Sequence, residues 1–334
     1  MVAQAFAAVH RALGWLRGVG IEPESAPPSV VAVLALAPPV IAGVIFFRLT
    51  ALEVLGVAVA AGVAAHVAAR LLGQPLAGTP LLPALVGVAM VGSGAPLVWA
   101  AAVAVAAAAF ELARARFVPG ARLQVGLVAY ALVLLLSGGG PAQYVTPAGV
   151  PMHEPIRLWL TDGGPGPVDA VRLYAGNVAG PVFATSMLAV AIGAAWMWYS
   201  RRLSLLVVLT FLAGAMVPIV VERWSAAYQL DSGPLWFAVA LVLADRRTLP
   251  ASQLGRPLVG LVAGLLALGA RARGYAIEAA LVAVAGTQVI TVTLQGLAWV
   301  RHNREETRAR LRELRDAARA IARPSRARPA QPPS

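Results

Sequence analysis

The stretch from Ala244 to Glu278, ADRRTLPASQLGRPLVGLVAGLLALGARARGYAIE, concentrates the polar side chains best suited to chemistry: Asp245, Thr248, Arg256, Arg271 and Glu278. A second group, Thr185 and Ser186, stands at the head of an apolar run. Guanidinium and hydroxyl groups of this kind can hold a polar or anionic ligand through charge-assisted hydrogen bonds. They do not amount to a nucleophile with a base, so no catalytic side chain is nominated. Thr146, in YVTPAG, and Thr161, in LTDGGPG, offer further hydroxyls, but their Pro and Gly neighbours suit turns. Glu278 follows Arg271 by seven residues across a Gly-Tyr turn, whereas Glu53, Glu111 and Glu222 sit near the ends of apolar runs and mark topology. Thr287, Gln288, Thr291, Thr293 and Gln295 form a polar series in the last apolar run, suited to bridging neighbouring helices.

Several chemistries are excluded. With no cysteine the chain supplies neither an Fe–S cluster nor a disulfide. Of four histidines only His66 lies within an apolar run, which reads as helix packing and not as a haem ligand. There is no phosphate-binding G-x-x-x-x-G-K-S/T, no G-x-S-x-G elbow and no metal-ligand cluster, so ATP hydrolysis is ruled out and any redox chemistry must come from a bound cofactor.

The elements that must position these groups are membrane helices. Apolar residues make up 59% of the chain and charged residues only 13%, far from a soluble composition. Ten apolar segments of spanning character are expected at 29–47, 50–72, 80–94, 96–112, 122–137, 181–200, 203–221, 232–244, 256–271 and 275–299. Residues 1–28 read as an interfacial amphipathic segment, with Phe6, Val9, Leu13 and Leu16 on one side, and no cleaved leader is expected. Two five-helix sets, 29–137 and 181–299, flank an outer loop, 138–180, and a basic tail follows at 300–334. The net charge of +12 does not point to nucleic acid, because the arginines fall in short loops and in the tail. Placing both termini in the cytoplasm puts Arg70, Arg114, Arg116, Arg122, Arg201, Arg202, Arg246 and Arg247 inside, with Arg48, Arg223, Arg271 and Arg273 outside. The expected location is the cell membrane, with the bilayer as the principal partner.

Five segments per set means that the second set enters from the opposite side, an inverted repeat. The third segment of each set is short and bordered by Gly and Pro, with GSGAP after the first and DSG before the second. Paired short segments of this kind point to a site near the midplane. The fold expected is an all-α integral membrane protein of about ten helices, a five-plus-five inverted repeat.

The segment 244–278 resembles the second-half signature of the RnfD/NqrB family, membrane subunits of the Rnf and sodium-pumping NADH:quinone oxidoreductase complexes, in which a T-D-P-x-T-x-P turn precedes G-R and a glycine-rich helix. Asp245, Thr248, Pro250, Gly255, Arg256, Gly260, Gly264, Arg271, Gly274, Tyr275 and Glu278 match, and Arg246 replaces the proline after the aspartate. Gly176, Gly180, Thr185, Ser186, Gly193, Tyr199 and Arg201 match a second family pattern, with Ala184 where the family has glutamate. The family's asparagine-proline-alanine turn appears as FVPGA at 117–121, without the asparagine. In the outer loop the family carries S/T-G-A-T, whose last threonine receives FMN through a phosphodiester bond. Here Thr146 fits the first position and Gly149 stands at the acceptor's place, so no covalent FMN is expected. The resemblance implies a flavin-dependent electron-transfer or ion-coupled redox subunit that works with other membrane subunits. It would hold FMN or riboflavin noncovalently, with Thr185, Ser186, Asp245, Thr248, Arg256 and Glu278, and more weakly Thr146, as the binding residues. The alternative is a non-redox transporter or accessory protein, similar to the RnfD-like proteins of enediyne biosynthetic clusters.

Overall fold

The structure is a computed structural model, described here over residues 28–71, 80–117, 121–162, 168–250, 254–273 and 276–302. The amphipathic segment before 28, most of the basic tail, the turn residues 118–120, and Gly274 and Tyr275 lie outside the described residues. Among the described residues the protein is all-helical, with isolated bridges and no strand. The helices are α1 (Pro28–Leu71), α2 (Leu81–Val88), α3 (Leu97–Phe117), α4 (Val125–Leu136), α5 (Pro155–Asp162), α6 (Ala170–Ala175), α7 (Met187–Tyr199), α8 (Leu205–Val221), α9 (Ala226–Leu230), α10 (Gly233–Trp236), α11 (Gly255–Arg271) and α12 (Ile277–His302). A π-helical stretch, Phe237–Leu243, continues α10. Each of the ten expected segments is represented.

Helix α1 contains the first two segments. It breaks at Arg48, whose φ of 47° and ψ of −114° lie outside helical space, so that two helices meet at a kink there. Arg201, between α7 and α8, also has a positive φ, 55°. The first-to-second connection of both sets therefore turns on an arginine held in a conformation that costs a non-glycine residue about 1–2 kcal/mol. Three stretches, Val30–Leu71, Leu97–Ala115 and Ile277–Ala298, are long and apolar enough to cross a bilayer, with shorter apolar helices between them.

Both third segments are broken. Helix α2 stops at Val88, and residues 89–95 continue as irregular backbone, buried as far as Ser93. In an apolar surround each freed backbone group needs a partner, and two loops supply them. The amides of Gly92 and Gly94 donate to the carbonyls of Pro141 (2.8 Å) and Gln143 (3.0 Å), and Ser93 donates to Gly180 (3.1 Å). In return Val182 donates to Val91 at 2.8 Å. A Cβ at Gly92 would collide with the Gln143 carbonyl, so this crossing requires glycine. In the second set, the chain beyond the π-helical stretch is tied to the loop after α7: Ser204 donates to Ala244 and Arg246 to Arg202, each at 2.9 Å. The two irregular stretches thus meet the chain before α7 and the chain after it, at opposite ends of that helix. This is the disposition an inverted repeat requires.

Close backbone approach holds the layers together. On α8 and α11, Gly214, Gly260 and Gly264 each face backbone of the other helix, the small-residue packing that membrane helices use where the hydrophobic effect is weak. Gly193 of α7 faces the Ala35 carbonyl, and Trp196 Nε1 donates to Val31 at 3.2 Å, so the first segments of the two sets pack on each other. The chain divides into two compact units after Ile290.

Candidate functional site

The residues nominated from sequence fall at two ends of the bundle. Asp245, Thr248 and Arg256 lie past the C-terminal end of α7. Thr185 and Ser186 precede its N-terminal end, and its 13 residues span about 20 Å. Glu278 lies just past the end of α11 and Arg256 at its start, a 17-residue helix about 25 Å long. These side chains do not converge on one ligand.

Most of them also have structural work. Asp245 forms a buried ion pair with Arg202, Nε to Oδ1 at 3.3 Å and Nη2 close to Oδ2, and its Oδ1 accepts the Arg247 amide at 3.1 Å. Both residues are buried. Thr248 donates to the carbonyls of Val242 and Asp245, and Arg256 Nε donates to Pro250 at 3.0 Å. Together these bonds lock the 244–250 turn that ends the π-helical stretch. Thr185 donates to the Pro181 carbonyl, and Ser186 caps α7 by accepting the Ala189 amide at 3.2 Å. Thr146 Oγ1 accepts the Val150 amide at 3.1 Å within a turn completed by Gly149 at φ 81°, which bears out its reading as a turn residue.

The richest polar cluster is one that the sequence reading identified only through Glu278 and Arg271. Glu154, 1% exposed, precedes α5 and accepts three backbone amides: Ile156 at 2.7 Å, Arg157 at 2.9 Å and, from the start of α12, Ile277 at 3.3 Å. Tyr144 donates its phenol to Glu278 Oε1 at 3.0 Å, and Arg157 stands 3.6 Å from Glu278 Oε2. Arg271, fully buried, donates through Nη1 to the backbone and side-chain oxygens of Gln229 (2.9 and 3.0 Å). Among the described residues its Nε and Nη2, the edge that would grip a carboxylate two-handed, have no hydrogen-bond partner; nor do Gln229 Nε2 and Ser232 Oγ.

Burial, followed by the charge of Glu278, raises Glu154 from its ordinary 4.5 to about 7, against the opposing pull of its amide bonds and Arg271. Burial raises the Tyr144 phenol well above its usual range, and burial with the Glu154 charge lifts Tyr228 to about 12. Both tyrosines therefore remain proton donors. The sequence did carry a trace of Glu154, an acid directly before Pro155 at a helix start, which is a helix-initiation signal. Nothing local linked it to Arg271, 117 positions away.

Outside this cluster, the outer loops bound a cavity of about 280 Å³ lined by Thr146, His153, Arg172 and Asn177 among others. In α12, Thr287 donates to the Ala283 carbonyl at 2.8 Å, and both amide atoms of the buried Gln288 have no protein partner. Among the described residues no cluster of acids and histidines could hold a metal ion.

A bundle of apolar helices with interrupted third segments, its irregular backbone bonded internally, defines a polytopic membrane protein. The chain belongs to the NQR2, RnfD, RnfE family, whose sequence profile matches residues 28–295. It is thus an RnfD/NqrB-type membrane subunit, of the kind found in multi-subunit Rnf and Nqr complexes. Comparison with curated proteins finds no match.

Proposed function

We propose that the protein is an electron-transfer subunit of a membrane redox complex, working with other membrane subunits and holding FMN or riboflavin without a covalent bond. The family match across residues 28–295 carries this reading. The nominated residues do not fit a single flavin: they lie at opposite ends of α7, and most are spent on backbone or ion-pair partners. The outer cavity fits better. Its volume, about 280 Å³, approaches the roughly 300 Å³ of small ligand pockets. Arg172, His153 and Asn177 supply donors suited to a phosphate or a ring carbonyl. A bound flavin would supply the electron chemistry, and these side chains would orient it. A noncovalent link accords with Gly149, which has no hydroxyl, at the acceptor's place and with Thr146 bound into its own turn. Both termini in the cytoplasm would place this cavity on the outer face.

Visible absorption, cofactor extraction and intact mass of the gently purified protein test the proposal. Flavin absorbance with an unmodified mass is expected, reduced at least tenfold in Arg172→Ala. A colourless protein overturns it and favours a second reading, a non-redox transporter or accessory protein of an enediyne-type pathway. That reading draws on the fully buried Ala184 at the family's glutamate position and on the missing acceptor hydroxyl.

A further inference from the structure

The cluster around Glu154 has more hydrogen-bonding capacity than the protein fills. The geometry points to Glu154 as a proton-binding site, with Glu278 and Arg271 setting its affinity and a water beside Ser232 carrying the proton to it. Arg271 feels the charges of both Glu154 and Glu278, yet among the described residues no hydrogen bond joins it to either acid, and its Nε and Nη2 have no acceptor. A fully buried guanidinium in that condition needs water or another acceptor beside it. Glu154 and Ser232 border a cavity of about 10 Å³, also lined by Thr185 and Ile277, just room for one water. Ser232 Oγ, 2% exposed and without a protein partner, is free to bond that water.

The titratable groups that act on Glu154 are Tyr144 of the outer loop, Tyr228 of α9, Arg271 of α11 and Glu278 of α12, while Tyr130 of α4 and Arg157 of α5 act on Glu278. The two nearest charges oppose each other: Glu278 favours the protonated form and Arg271 the ionised one. Burial decides the balance and brings the proton equilibrium to about pH 7. The ionised carboxylate clamps α5 to the start of α12 through its three amide bonds. Protonation leaves one oxygen a poorer acceptor but removes the buried charge, and burial is the larger effect. The site needs no flavin, and its test does not depend on the electron-transfer reading.

Infrared difference spectra of the full chain in nanodiscs, recorded from about pH 5 to pH 9, read the acid directly. The expected result is a protonated-carboxyl band that titrates near pH 7, absent from Glu154→Gln. In Glu278→Gln the midpoint should fall by about one pH unit, because a like charge has been removed. The melting temperature provides a second readout. Because folding raises the Glu154 value, the group disfavours the folded state once ionised. Its contribution is therefore intact below pH 4.5 and is lost as pH rises through about 7. That decline should vanish in Glu154→Gln. A band that survives Glu154→Gln unchanged, or a midpoint unmoved by Glu278→Gln, overturns the proposal.

Discussion

Asp245 illustrates how a residue chosen for ligand chemistry can be occupied by architecture. Its carboxylate is buried against Arg202, and the pair closes the turn at which the π-helical stretch stops. Removing one partner leaves an uncompensated charge in an apolar surround, a loss of about 3–5 kcal/mol. Asp245→Ala should therefore lower the unfolding free energy by that amount in a detergent denaturation series. The double variant Arg202→Met with Asp245→Leu should recover most of it, since two buried charges are exchanged for apolar contact. A ligand role would show the reverse: a stable Asp245→Ala protein with altered cofactor content. The sequence showed that Asp245 mattered but could not give its partner, because Arg202 lies 43 positions away and its pairing exists only once α7 and the π-helical stretch are aligned. The proximity of Glu154 to Arg271 was hidden for the same reason. Thr146 was easier to read, since turn chemistry is decided by neighbours within four residues; the cap formed by Ser186 is just as local, but that residue was nominated as a ligand.

At the scale of the element, hydropathy located the helices because a bilayer demands long apolar runs, but it could not locate the breaks. The expected segment 80–94 contains only eight helical residues, Leu81–Val88, and the expected segment 181–200 becomes helical only at Met187. In both cases the missing portion is held by bonds to another loop, 89–94 to 141–143 and 180–182, which no single window of sequence reveals. Glycine spacing was more legible. Gly260 and Gly264 were singled out on α11, and both meet the backbone of α8. Gly264→Val should force the two helices apart and destabilise the bundle by about 1–3 kcal/mol or more. Gly286→Ala, on α12 with open space around the position, should instead be neutral or stabilise by about 0.5–1 kcal/mol through helix propensity. Paired melting curves in one detergent separate the two effects. Equal destabilisation would mean that α8 and α11 do not rely on close backbone contact.

For the whole molecule, the two sets of segments are related by what they do at α7. The irregular end of α2 is bonded to the chain entering that helix and the irregular end of the π-helical stretch to the chain leaving it, so the two breaks face opposite sides of the bundle. Arginine placement gives the sides their identity. Arg122, Arg201, Arg202, Arg246 and Arg247 gather where the π-helical stretch ends, and Arg122 reaches across to the Leu249 carbonyl, while the outer loop and α5 cover the other end. The positive-inside rule predicts that the first group faces the cytoplasm. A chain without cysteine allows this to be tested with single introduced thiols. Ala148→Cys, in the outer-loop turn, should react with a membrane-impermeant maleimide in intact cells. Arg246→Cys, exposed on the opposite end, should react only after the membrane is permeabilised. Labelling of both sites in intact cells would be incompatible with opposed halves. Labelling of Arg246→Cys alone would keep the inverted architecture but reverse it in the membrane, moving the Glu154 cluster and the cavity beside Arg172 to the cytoplasmic face.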